Sequence, residues 1–376
     1  MATSNKERAM KEAINKTAQE MYPELNLSED QVEAIGAVIR GSDTIVNLPV
    51  GSGKSLIFHL LPDAVDEAEI IFCHPEALLC CKSGSDTLTS LSGRVGVICI
   101  DECHKIEEWG KEFRKSFSDI HMLRSFFPCV PMLCLSGSLT SELMKNLPTL
   151  LGLKKPKIIS RNPDVRNVFL EVRLKEKGSA QEIYEEIFIK EIMSLKSLKT
   201  LYPVTLLFLP LQYMSYAMRY AFKMFPDVKL SDSLFCALFS NQDADVVNTI
   251  LSDLKKESPQ FRLVFTTSVI GMGFDSPSVS RIIHAKPPRS MTSYLQEIGR
   301  AGRRGQDASA TLYFNKSDIA SNLPGIETDI VQYCMSETCL RSNLLKAFCY
   351  EKSESSPVGC KCCSICKRSC DCLSCK

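Results

Sequence analysis

Residues 97–117 read VICIDECHKIEEWGKEFRKSF, and the fold follows from how that stretch changes character part-way along. The apolar run Val97, Ile98, Cys99 and Ile100 ends abruptly on Asp101 and Glu102. A buried parallel strand reads as such a run, and its carboxyl end is where an open α/β sheet binds ligands. Adjacent acids at that edge suit two tasks, one holding a magnesium ion through its water shell, the other taking a proton from an attacking water. Two acids alone fit an ordinary turn at least as well; the rest of the chain decides between the readings. Beyond them, residues 105–117 mix charge with aromatic groups and hold Trp109, the only tryptophan.

Upstream, a strand over 44–48 runs into LPVGSGKS and then into a helix carrying Leu56, Ile57, Leu60 and Leu61. Backbone N–H groups of a glycine-rich turn at a helix N-terminus point inward and wrap a phosphate chain. Pro49, Val50, Gly51, Ser52, Gly53, Lys54 and Ser55 are therefore the candidate phosphate loop, with Lys54 on the terminal phosphates and the Ser55 hydroxyl on magnesium. Leu48 stands where the strict pattern has its first glycine, yet the strand, turn and helix around it are as required. Before the loop, a helix over 5–21 is followed by one capped by Ser28 that contains Gln31.

The same alternation continues in both directions. A strand is expected at 70–73, ending in HPEALL, and another at 132–135, ending in SGSLT; residues 154–167, rich in Lys, Pro, Arg and Asn, read as a joint. The second half is expected to place strands at 204–209, 234–239, 263–267, 281–284 and 310–314, with helices over 213–225 and 245–256. Its loops carry VIGMGFDSP and KPPRSMTSYLQEIGRAGRRG. Alternating strands and helices mean an α/β fold of two doubly wound parallel-sheet domains. The expected boundaries are 1–165, 166–325 and 326–376, the last a small cysteine-rich module. With 294–301 helical, Gln296 and Arg300 share a face and Arg303 follows. Rigid guanidinium groups suit the charge that develops on a transferring phosphoryl group. A solvated basic face is the competing reading for these arginines, and the phosphate loop and acids in the other half tip the balance.

The 376 residues carry a net charge of +1, so no global field pulls the chain onto nucleic acid, and any such contact is local. At 44% hydrophobic and 24% charged the composition is that of a globular protein. The polar first residues lack a signal-peptide core and no run is long enough to span a bilayer, so an intracellular protein without membrane partners is expected. Of 18 cysteines, seven crowd positions 360–375. Without a secretory signal, metal ligation is favoured over disulfides. Cys339, a helix over LRSNLLKAF, then Cys360, Cys363 and Cys366 give thiolates spaced for tetrahedral zinc. Cys349 is an alternative ligand, and Cys362, Cys370, Cys372 and Cys375 are either ligands of a second ion or spare thiols.

With Gln31, GSGKS, DECH, GMGFDSP and QEIGRAGRRG in this order, the chain resembles superfamily-two helicases. It resembles the RecQ family most closely, because WGKEFR follows the acids and places Trp109, Gly110, Phe113 and Arg114 as that family's aromatic-rich loop does. The resemblance spans nearly the whole chain. It implies two RecA-like domains followed by a zinc-binding module, with ATP, Mg2+ and Zn2+ as cofactors. By the same resemblance, Gln31 reads adenine, Asp101 joins Ser55 on magnesium, and Glu102 deprotonates water. His104 and Ser138 relay nucleotide state, Asp275 reaches the ribose, and Gln296, Arg300 and Arg303 complete the far wall of the site. Trp109, Phe113, Arg114 and Arg289 would contact DNA, single-stranded or as a tailed duplex.

The resemblance further implies an ATP-dependent 3′ to 5′ DNA helicase or translocase acting in repair or recombination, nuclear in a eukaryote. Departures are visible. Ser28 replaces an arginine, Lys105 and Lys111 replace a cysteine and a histidine, SGS replaces TAT, and LFSNQDAD matches its motif poorly. Between the phosphate loop and the acids, EIIFCHPEALL stands where the family has several strand–helix units that grip the DNA backbone. No accessory domain is read after the cysteines. A DNA-stimulated remodeller that does not separate strands, and a nucleotide- and partner-binding remnant, are the rival expectations.

Overall fold

The computed structural model describes residues 2–49, 51–62, 69–106, 119–227, 229, 232–268 and 276–373. They fall into two compact units, Met1–Pro163 and Asp164–Lys376. In the first, strands β1 (Thr44–Asn47), β2 (Ile98–Ile100), β3 (Met132–Ser136) and β4 (Lys157–Ser160) form one sheet in the order β2-β3-β1-β4. Every pairing is parallel. Successive residues point to opposite faces, and both faces are covered. Val46, Leu133 and Leu135 join a core with Ile14, Ile35 and Ile57, while Ile45, Met132 and Cys134 join another with Leu143, Leu147 and Leu151. This is why β1 and β3 read as unbroken apolar runs. At the amino end of β1 the buried Asp43 carboxylate accepts two bonds from Arg124 and the backbone N–H groups of Met132 and Lys154.

In the second unit, β5 (Val168–Leu174), β6 (Thr205–Phe208), β7 (Phe235–Leu238), β8 (Leu263–Thr266), β9 (Arg281–His284) and β10 (Ala308–Phe314) form a parallel sheet. Their order is β5-β10-β9-β6-β8-β7. Leu206, Val264 and Ile282 face one core, and their neighbours Leu207, Phe265 and Ile283 face the other. The helices Thr328–Cys334 and Leu340–Ala347 complete the first of these cores through Ile330, Tyr333, Leu340 and Leu344 against Val168 and Leu170. The cysteine-rich segment after 326 thus shares a core with the sheet. Arg341, fully buried, fastens it, bonding the Asp164 carboxylate and the carbonyl oxygens of Val165 and Val168.

Several expectations are corrected. Residues 70–73 form no strand: Ile71 and Phe72 are 66% and 71% exposed, with no neighbouring strand to receive them. The stretch read as a joint does hold the boundary between the units, Pro163 to Asp164, but it also contains β4, which pairs with β1. β5, which was not anticipated, forms the edge of the second sheet beside β10, residue for residue from Val168 beside Ala308 to Leu174 beside Phe314. The helix expected over 294–301 runs from Met291 to Ile298, so Arg300 sits in the turn beyond it rather than on a shared helical face with Gln296. The long helix Ala180–Leu198, capped by Ser179 and Glu182, was not anticipated.

Candidate functional site

Because all strands of the first sheet are parallel, β1, β2 and β3 deliver their carboxyl ends to one edge. Asn47 is followed there by the phosphate loop, Ile100 by the acids, and Ser136 by Gly137 and Ser138. The loop turns through Gly51 (φ 84°) and Gly53 (φ 69°), left-handed conformations that favour glycine. Gly53 caps the helix Lys54–Leu60, whose first residue is the candidate lysine. Lys54 Nζ donates to the carbonyl oxygens of Leu48 at 3.0 Å and Pro49 at 3.2 Å, so the loop holds its own cation. Gln31 braces the loop from behind. Its Nε2 donates to Ser52 O at 3.1 Å and Gly53 O at 3.0 Å, and its Oε1 accepts from the Ser28 N–H at 2.8 Å. The same pair forms the capping box of the helix Glu29–Ile39, which gives Ser28 a structural duty here.

At the end of β2, Asp101 is exposed and its Oδ1 accepts the Glu102 N–H at 2.9 Å. Glu102 takes a φ of 50°, a conformation costing a non-glycine residue on the order of 1–3 kcal/mol and found at functional turns. His104 lies buried beneath. Its Nδ1 is 3.2 Å from Glu102 Oε2 and 3.0 Å from Ser136 Oγ. Burial, and then the charges of Lys105 and Lys54, pull the imidazole down to about 3, so it is neutral at physiological pH. Ser136 Oγ also accepts from the Ser138 N–H at 3.2 Å. Ser136 therefore joins the acid turn to β3, beside the Ser138 that the sequence singled out. Asn47 ties the same edge together, accepting from the Leu139 N–H and donating to Ser160 Oγ.

In the second unit Gln296 and Arg300 are buried, and Arg303 is half-buried with Nε donating to Gly299 O at 3.3 Å. Beside them is a pair that sequence reasoning missed. His284 Nε2 meets Glu297 Oε2 at 2.7 Å, both buried, joining β9 to the helix Met291–Ile298. Arg289 is exposed, immediately before that helix. Val50, Trp109, Phe113, Arg114 and Asp275 lie outside the described residues.

The thiols sort differently from their spacing. Sγ atoms of Cys339, Cys362, Cys363 and Cys366 lie within 4.8 Å of one another, so Cys362 fills the place expected of Cys360. A parallel bridge between Leu170 and Cys363, and the Leu170 N–H bonded to Cys362 O, turn that segment so that Cys362 points at Cys339, 3.6 Å away. Four thiols at such distances are a fitting donor set for zinc. Their protons are unequally held. Hydrogen bonding from Cys363 pulls the Cys339 thiol well down, the same bond and burial push Cys363 up, and burial raises Cys366. Burial lowers the Lys352 ammonium, but its hydrogen bonds to Cys339 and Cys362 outweigh this and leave it raised, a cation set against the thiolates. Cys349 is exposed and belongs to neither cysteine group. Cys360 lies instead with Cys370 and Cys372, and Cys375 lies outside the described residues.

Residues 205–305 match the helicase conserved C-terminal domain. The chain is 25% identical to the ATP-dependent DNA helicase Q-like 2 of Arabidopsis thaliana, over 87% of its own length and 46% of that protein's. It is 27% identical to the bifunctional 3′-5′ exonuclease/ATP-dependent helicase WRN of Mus musculus, over 92% of this chain and 25% of that one. Over most of its length the chain is similar to RecQ-type superfamily-two helicases. This RecQ-like chain spans a quarter to about half the length of these relatives. In fold it is similar to the Mycobacterium smegmatis helicase Lhr bound to ssDNA and AMP-PNP, with a TM-score of 0.60 at 16% identity, over 86% of this chain and 49% of that one. Its two parallel-sheet units are thus RecA-like domains. Among the described residues no helix is long and apolar enough to cross a membrane.

Proposed function

We propose that the chain is an ATP-dependent DNA translocase or helicase of the RecQ type, moving 3′ to 5′. The observation that carries this reading is the convergence of Lys54, Asp101, Glu102 and His104 at one sheet edge, with the Lys54 charge acting on the buried imidazole. On nucleotide binding, Lys54 Nζ exchanges the Leu48 and Pro49 carbonyls for the terminal phosphates, and the loop N–H groups take the remaining oxygens. Ser55 and Asp101 would hold magnesium, which neutralises the phosphate charge. Glu102 accepts the proton of the attacking water, oriented by neutral His104 and Ser136. Arg300 and Arg303, with Gln296, supply cationic and polar groups from the second domain. Gln31 and Asp275 would bind the rest of the nucleotide. Trp109, Phe113 and Arg114 would couple single-stranded DNA to turnover by base stacking and charge, and Arg289 would add a phosphate contact. The thiols of Cys339, Cys362, Cys363 and Cys366 would hold structural zinc, and the resemblance to RecQ helicases supports a nuclear role in repair or recombination.

A second reading, a DNA-stimulated ATPase that remodels without separating strands, is favoured by one observation. Among the described residues no strand lies between β1 and β2, so the units that grip the DNA backbone are missing from the first sheet. Losing phosphate contacts weakens DNA binding before it touches hydrolysis.

ATP turnover with and without single-stranded DNA, and strand displacement from a 3′-tailed duplex, separate the readings. Stimulated turnover with displacement, both abolished by Lys54→Ala, is the expected result. Stimulated turnover alone selects the remodeller, and no turnover leaves only a nucleotide-binding remnant. Trp109→Ala is expected to lower the stimulation ratio while basal hydrolysis persists.

A further inference from the structure

We propose that Cys360, Cys370 and Cys372 form a second zinc centre, separate from the four-cysteine group. Their Sγ atoms lie within 4.8 Å of one another, with Cys360 and Cys372 at 3.6 Å. A disulfide holds its sulfurs at about 2.05 Å. Thiolates sharing a tetrahedral zinc at about 2.3 Å are necessarily about 3.8 Å apart. The Cys360–Cys372 spacing belongs to the second geometry, and the same 3.6 Å separates Cys339 from Cys362 in the four-cysteine group. The two groups are thus built to one scale.

Apolar packing does not account for the convergence. The turn Gly359–Lys361 and the helix Ser364–Arg368 bury none of their residues, Cys372 is exposed, and Leu373 is 95% exposed. Ile365 and Cys366 seat the helix on the second unit's core, but residues 370–373 add no buried side chain to offset the roughly 1–2 kcal/mol that fixing each backbone residue costs. A shared metal ion does so directly. The backbone is shaped for close sulfur approach. Gly359 has a φ of 56°, and a Cβ placed there would stand 3.0 Å from Cys370 Sγ. A side chain at 359 would therefore press on Cys370 at the position where it joins Cys360.

Among the described residues the group offers three thiolates, and it is more exposed than Cys362 and Cys363. The second ion is therefore held less tightly and leaves first. The experiment uses the full chain, purified with zinc under reductant and counted by native mass spectrometry with elemental analysis. The parent is expected to hold two zinc ions and the Cys360→Ser/Cys372→Ser variant one, with unchanged circular dichroism. A chelator titration of the parent should release zinc in two phases, the faster absent from the variant. Substitution with cobalt gives a second readout. The sulfur-to-cobalt charge-transfer absorbance should fall in the variant, because the departing ion takes with it the sulfur–cobalt bonds of Cys360, Cys370 and Cys372 and leaves those of the four-cysteine group. One zinc ion in the parent overturns the proposal, as does retention of two in the variant. A Cys360–Cys372 disulfide mapped in the reduced preparation, or loss of both ions together from a folded variant, overturns it equally.

Discussion

Gln31 Nε2 donates to the Gly53 carbonyl oxygen at 3.0 Å, so the side chain expected to read adenine is fastened to the phosphate loop itself. The amide is used on both sides, since its Oε1 holds the Ser28 N–H. Gln31→Ala removes three bonds from a buried position and is expected to destabilise the first unit by about 2 kcal/mol, while weakening nucleotide binding. Gln31→Glu should be worse for binding, because a carboxylate would face the Ser52 and Gly53 carbonyl oxygens. Urea unfolding with and without ADP measures both effects. Equal midpoints and equal ADP stabilisation in parent and Gln31→Ala would show that the brace is idle.

His104 gives the chain a defined acid sensitivity. Its imidazole titrates at about 3 when folded, against an ordinary value of 6.5, chiefly because it is buried. Between those values the unfolded chain binds a proton that the folded chain refuses. The contribution of this group is complete above pH 6.5 and is lost as pH falls toward 3, with a slope of up to about 1.4 kcal/mol per pH unit. His104→Asn is expected to flatten that slope. Acid also displaces metal from thiolates, so the quantity to follow is the difference between parent and variant in urea midpoint at pH 7.5, 6 and 5. A constant difference across the series would mean that His104 does not titrate this way.

Arg341 and Asp164 couple the cysteine-rich segment to the start of the second unit. Both are buried, and Asp164 Oδ2 also accepts from Ser356 Oγ at 2.6 Å. Breaking one member of such a pair leaves a buried charge without its partner, at a cost of about 3–5 kcal/mol. Arg341→Leu should therefore unfold the second unit at lower denaturant and release zinc more readily, since Arg341 also bonds the Cys362 carbonyl oxygen. Arg341→Leu/Asp164→Leu should recover part of the loss. Failure of the double variant to recover any stability would place the effect in packing rather than in charge.

Much of this architecture was legible because buried parallel strands write themselves as apolar runs. β1, β3, β6 and β8 are buried at every position, and each was read. The strands that escaped notice are edge strands. β5, VFLEVRL, alternates buried and half-exposed residues, and β4, KIIS, has two exposed positions within a basic, proline-bearing stretch. IIFC carried the pattern of a strand but has no partner, and pairing is a property of the tertiary structure. The thiols teach the same lesson. The spacing pointed to Cys360, and it is the bridge from Leu170 to Cys363 that turns Cys362 toward Cys339 instead. Ser136 and Glu297 were missed because their roles depend on the buried histidines His104 and His284 they meet, each contributed by another segment.

The unpaired IIFC segment has a cost of its own. β2 pairs only with β3 among the described residues, and the apolar stretch upstream has Ile70 39%, Ile71 66% and Phe72 71% exposed. A strand edge unpaired among the described residues and a β-prone apolar segment are complementary features on two copies of one chain, and such features drive edge-to-edge association. Phe72 meets the rings of Phe58 and His59 at centroid distances of 6.2 and 6.3 Å, so the cleaner probe is Ile71. Ile71→Lys is expected to leave stability within about 0.5 kcal/mol of the parent, because an exposed side chain is replaced by a soluble one. It should also reduce concentration-dependent self-association measured by light scattering. If the variant and the parent associate equally at every concentration, the IIFC segment is not the sticky element, and the β2 edge must be covered in some other way.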